Sequence, residues 1–148
     1  PAGYYSSDST LIVYRELYWV NKTTIESGRE INRLNKLHDE QIDWYVADPE
    51  SKDGRLTLGR ECNIRTLKAP KHMGVNEGIN IVHEFMAIDK EGKSRLLFFT
   101  TVKNTLREFR LYKWDNKSKR DVVKKTDDHA MDSLRYGIMQ YRRITAHR

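Results

Sequence analysis

Apolar positions along this chain recur with two different periods. In "TLIVYRELYW", residues 10–19, β-branched and aromatic side chains crowd together, which predicts a strand. The turn-forming "SSDS" precedes it and "PAGYY" reads as the end of an earlier strand, so the chain opens on a hairpin. Thr23 and Glu26 have capping-box spacing and open a helix through about His38, with Ile25, Ile31, Leu34 and Leu37 largely inward. "DWYVA", 43–47, is a short apolar run bounded by polar residues, as in a buried strand. A short helix around Leu56–Cys62 leads to a strand "IRTLKA". Val75, Ile79, Val82 and Met86 recur at helical spacing and predict a helix over 73–88. "RLLFFT" is another buried strand, and Val102–Leu111 a helix. The last helix runs from about Asp127 to Arg142, with Met131, Leu134, Ile138 and Tyr141 on its apolar side. A hairpin followed by alternating helices and strands predicts an α/β layer fold with a mixed sheet.

Composition narrows the class. At 148 residues, 38% hydrophobic and 32% charged, the chain is one domain of the soluble type, long enough for a core without disulfides or structural metal. No run approaches a membrane span, and Cys62, the single cysteine, excludes an internal disulfide and fits a reducing compartment. The chain opens on Pro1 rather than methionine, which leads us to expect a piece of something longer. A net charge of +6 suits a polyanionic partner. Lys113, Lys117, Lys119, Arg120, Lys124 and Lys125 precede the acidic stretch "TDDHAMDSLRYG", residues 126–137, and Arg135, Arg142, Arg143 and Arg148 stand within or beyond it.

That stretch carries the candidate chemistry. Asp128 and Asp132 are four apart, so a helix puts both on one face, bordering the apolar stripe. Asp127 or Asp128 as an N-cap would account for one acid; Asp132, a turn further in, needs another reason. A divalent cation offsets such repulsion, and carboxylate oxygens select Mg²⁺ or Mn²⁺. His129 is either an exposed first-turn residue or a hydrogen-bond partner behind the ligands. Asp48 follows "DWYVA", at the carboxyl end of a strand where open α/β sheets place ligands; the alternative is an Asp-Pro turn with Pro49. No phosphate-binding loop, zinc motif or serine-nucleophile motif occurs.

Six segments in order resemble the C-terminal nuclease domain of tailed-bacteriophage large terminase subunits: "LIVYRELYW", "TTIESGREINRL", "YVADPE", "LKAPKHMGVNEGINIVHEFM", "TLREFRLYKWD" and "DDHAMDSLRYG". The last is the most specific, through its Asp-His-x-x-Asp-x-x-Arg-Tyr pattern. The resemblance spans nearly the whole chain. It implies an RNase H-like fold, a mixed β-sheet flanked by helices, and a two-ion, Mg²⁺- or Mn²⁺-dependent endonuclease that cuts concatemeric viral DNA during packaging. By position, Asp48 and Asp132 would be metal ligands and catalytic acids, with Asp128 a competing or additional ligand and His129 beside them. Lys68, Lys71 and Arg135 would contact DNA. Implied partners are double-stranded DNA, the ATPase domain of the same subunit, the small terminase subunit and the portal, in the bacterial host cytoplasm. The family's first metal-binding aspartate, on the first strand, has no counterpart here, since Asp8 falls in a turn; it is expected upstream of Pro1, and the ATPase motor is likewise not in this sequence. Two other classes stay open: a non-catalytic DNA-binding or docking module, and another RNase H-like nuclease of resolvase or transposase type.

Overall fold

The computed structural model describes residues 2–7, 10–70, 74–115 and 129–146. Strand β1 (Ala2–Ser7) pairs antiparallel with β2 (Thr10–Glu16), the expected hairpin. Alternation in β2 buries Leu11 and Val13 on one face. Next come α1 (Thr24–Leu37), β3 (Tyr45–Ala47), α2 (Lys52–Cys62), β4 (Thr66–Lys68) and α3 (Val75–Met86). The chain then returns as β5 (Leu96–Phe98), which lies parallel to β2, and ends in α4 (Lys103–Asp115) and α5 (His129–Thr145). The fold is mixed α/β, with a three-stranded sheet in the order β1-β2-β5.

Several expected elements take a different form. The run 43–47 is neither fully buried nor central: only Tyr45–Ala47 is strand, half-buried, and it pairs with β4 in a separate two-stranded parallel sheet. "RLLFFT" is buried on one face only, with Leu96 inside and Leu97 and Phe99 exposed, because β5 is an edge strand covered from one side. Helix α2 starts earlier than expected, at Lys52.

The core joins Leu11, Val13 and Leu96 of the sheet to Ile81 and Phe85 of α3, Val102, and Met131, Leu134, Ile138 and Met139 of α5. The α5 stripe matches the predicted periodicity. In α3 the buried line is Gly78, Ile81 and Phe85, with Val82 and Met86 at its margin, so the expected stripe is rotated toward the glycine. Helix α1 has its capping box, Thr23 Oγ1 accepting from Glu26 N at 3.1 Å and Glu26 Oε2 from Thr23 N at 2.7 Å. Its inward set is weaker than expected: Leu37 is 64% exposed. What seats α1 is Gly28, where a Cβ would lie 2.5 Å from Cys62 Sγ of α2.

The first long strand stops at Glu16 rather than near residue 19, because that side chain turns to the start of α4. Glu16 Oε1 accepts from Asn104 N at 2.8 Å and Nδ2 at 3.1 Å, and Oε2 from Thr105 N and Oγ1, both at 2.8 Å. A carboxylate there satisfies orphan donors and meets the positive helix end. Burial pushes the Glu16 carboxyl up, but the hydrogen bonds from Asn104 and Thr105 more than offset it and hold the pKa below the ordinary 4.5. A lowered folded-state pKa stabilises the fold above the ordinary carboxylate range, and that contribution is lost as pH falls through the folded value. Thermal melts of Glu16→Gln should therefore trail the parent at neutral pH and converge with it once acidification has passed the lowered pKa of the folded carboxyl. A constant gap across that range would contradict this role.

Candidate functional site

Strands β3 and β4 run parallel with Ala47 opposite Lys68, and Ala69 N donates to Ala47 O at 3.1 Å. Asp48 and Lys68 thus emerge side by side from the carboxyl ends of adjacent strands, both exposed. The Asp-Pro turn is also present: Asp48 Oδ1 accepts from Glu50 N at 2.9 Å, and Ser51 N donates to Asp48 O at 3.2 Å. The turn and a ligand role are compatible, since the turn fixes the direction of the carboxylate.

Helix α5 packs against β3 and β1 as well as α3 and α4. Its first turn is held from a distance by Glu108 of α4, which is 1% exposed. Glu108 Oε2 accepts from Ala130 N at 2.8 Å and Met131 N at 3.1 Å, while Oε1 accepts from the Tyr18 hydroxyl at 2.8 Å. These are the two N–H groups that an N-cap at position 128 would serve. Asp127 and Asp128 themselves lie outside the described residues, as does Lys71. His129 is the first residue of α5 and is exposed.

One turn in, Asp132 Oδ1 pairs with Arg135 Nη2 at 3.1 Å. Arg135 is not a solvated surface charge: its side chain is only 12% exposed. Its stem lies on Gly78, where a Cβ would stand 2.7 Å from Arg135 Cδ and 2.8 Å from Met139 Sδ. Glycine at 78 is what lets α3 and α5 approach closely enough to seat the arginine. The Arg135 guanidinium also stands 5.2 Å from the centre of the Tyr136 ring.

Tyr136 ties the two strand and helix acids together. Its phenol is pushed above the ordinary 10.0 by burial first, then by the charge of Asp48; Arg135 opposes the shift, and Asp132 adds to it. Asp48 and Asp132, far apart in sequence, thus both act on one hydroxyl. Among the described residues no three His, Cys, Asp or Glu side chains gather closely enough to hold a metal ion. The two carboxylates are hard oxygen donors of the kind that suits Mg²⁺ or Mn²⁺, and Arg135 already neutralises one of them, so a cation would share Asp132 with it.

Sequence reasoning gave no role to Glu108, Tyr136 or Gly78, although all three fall within the family-like segments "TLREFRLYKWD", "DDHAMDSLRYG" and "LKAPKHMGVNEGINIVHEFM". No helix among the described residues is long and apolar enough to cross a membrane. No protein-family model matches the chain, and no curated protein or solved structure matches it.

Proposed function

We propose that this chain is a metal-dependent DNA endonuclease domain of the terminase large-subunit type, with an RNase H-like fold. The observation that supports the reading is that α5, which bears Asp132, packs against β3, at whose carboxyl end Asp48 stands. Acids brought together from separate elements are what metal-assisted phosphodiester hydrolysis requires. Asp48 and Asp132 would hold divalent ions, with Asp128 as a further candidate ligand and His129 at the rim. Ions held there would activate water and stabilise the leaving oxygen. Lys68, beside Asp48, would fix a DNA phosphate without reading bases, and Lys71 would extend that contact. Arg135 would serve chiefly by orienting Asp132.

The reading calls for one more strand carrying the first aspartate. Among the described residues β1 and β3 each keep one unpaired edge, and α5 packs across both, which suits a strand between them. By the same reading the domain works on double-stranded DNA beside an ATPase motor, with the small subunit and portal as partners, in the host cytoplasm.

The Asp48 turn and the Asp132–Arg135 pair also suit a non-catalytic DNA-binding module, in which both acids are structural. Calorimetric titration with Mn²⁺ separates the two. The nuclease reading expects binding that Asp48→Asn and Asp132→Asn each weaken by more than roughly the 10–100-fold attached to groups behind metal ligands. Mn²⁺ affinity unaffected by either substitution would leave the module.

A further inference from the structure

Over its described side chains, 103–110, helix α4 presents a solvent face with one sign of charge. Lys103, Arg107 and Arg110 are exposed and spaced by four and three residues, which places them on one side of the helix. Beside them runs the loop between β2 and α1, with Trp19 43% exposed, Val20 exposed next to it, and the Lys22 ammonium 5.5 Å from the Trp19 ring centre. Two contacts hold this loop over α4. Glu16 binds the first turn of the helix, and Tyr18 bonds Glu108 while its ring lies 5.8 Å from the Arg107 guanidinium. Among the described residues none of Lys22, Lys103, Arg107 and Arg110 enters an ion pair. Three cations without an acidic partner among the described residues thus stand beside an exposed indole and Lys22, which Glu26 also attracts.

We propose that this surface binds single-stranded nucleic acid, with Lys22, Lys103, Arg107 and Arg110 on the phosphates and Trp19 stacked on a base. Charge selects a polyanion. The aromatic side chain selects a single strand among polyanions, because a duplex keeps its base faces stacked inside while a single strand offers them. An exposed Trp–Val pair has no evident use against a phosphate backbone alone. The surface is distinct from Asp48, Asp132 and Lys68, which stand at the ends of β3 and β4 and on α5, and the proposal does not rest on the nuclease reading.

Fluorescence anisotropy of a labelled oligo(dT) with the full chain, in EDTA, tests the proposal without involving metal chemistry. The parent should bind with an affinity that falls with salt. The Lys103→Gln/Arg107→Gln/Arg110→Gln variant should show a log–log salt slope shallower by about 2, three phosphates at roughly 0.7 each. Arg110→Gln alone, at an exposed helix position, should lose about a third of that and covers the case in which the triple variant folds poorly. Trp19→Ala should weaken binding roughly five-fold or more, and Trp19→Phe should restore most of it. A duplex of equal length and heparin, a sulfated polyanion without bases, should bind independently of Trp19. The proposal is overturned if Trp19→Ala leaves oligo(dT) affinity unchanged, if Arg110→Gln leaves the salt slope unchanged, or if heparin shows the same Trp19 dependence.

Discussion

Asp48→Asn and Asp132→Asn should each abolish Mn²⁺-dependent cutting of plasmid DNA, in a chain extended to include the additional strand that the nuclease reading calls for. The reason is charge. An amide keeps the size of the carboxylate and one acceptor oxygen but loses the negative charge that holds a hard cation. The loss should exceed the roughly 10–100-fold seen when groups behind metal ligands are removed. Folding should change little. Asp48 is exposed and Asp132 39% exposed in its side chain, and the main fixed contact of Asp48, the bond from Glu50 N, can be kept by an asparagine oxygen. Asp132→Asn does loosen Arg135, so its melting temperature should be read alongside its activity. Cutting at the parent rate by both folded variants would remove the catalytic role.

The largest effect on stability is expected at Glu108. Replacing it with alanine removes the acceptor that the Tyr18 hydroxyl and the N–H groups of Ala130 and Met131 share, with Met131 buried and the other two half-buried. Hydrogen bonds to a charged group contribute about 1.5–3 kcal/mol each, and because removing Glu108 also relieves the cost of burying its charge, the net loss should be about 3–5 kcal/mol rather than the full sum. For a chain of this size that corresponds to a drop in Tm of roughly 10 °C. Glu108→Gln should be milder. Its oxygen can face the helix N–H groups while its amide donates to Tyr18, whose hydroxyl can accept as well as donate. Calorimetry of both variants checks the assignment. Equal, small shifts would mean that Glu108 does not hold the start of α5.

Glu108 also marks where the sequence stops being legible. The helices were readable because an apolar stripe repeats locally, and α5 buries Met131, Leu134 and Ile138 as its spacing predicts. The capping box at Thr23 is readable for the same reason, its two partners being three residues apart. Glu108 is different: it reaches Tyr18 in a loop and the start of α5, groups that only the folded chain brings together. Gly78 is hidden in another way, since its contribution is the absence of a side chain beneath Arg135. The short strands β3 and β4 were recognisable as extended segments, but whether they join the main sheet depends on pairing that three residues do not encode. At the candidate site Asp48, Asp132 and Lys68 could be picked out by type and position, whereas Tyr136 was marked only as the last residue of the Asp-His-x-x-Asp-x-x-Arg-Tyr pattern, which says nothing of its burial or of the acids near it.

If Asp48 and Asp132 hold a divalent ion between them, as the nuclease reading proposes, anomalous diffraction from crystals soaked in Mn²⁺ should show a peak with an oxygen from each carboxylate at coordination distance, roughly 2.0–2.3 Å, that disappears in Asp132→Asn. A peak bound elsewhere on the chain, or none at Mn²⁺ concentrations that saturate binding in solution, would contradict that reading.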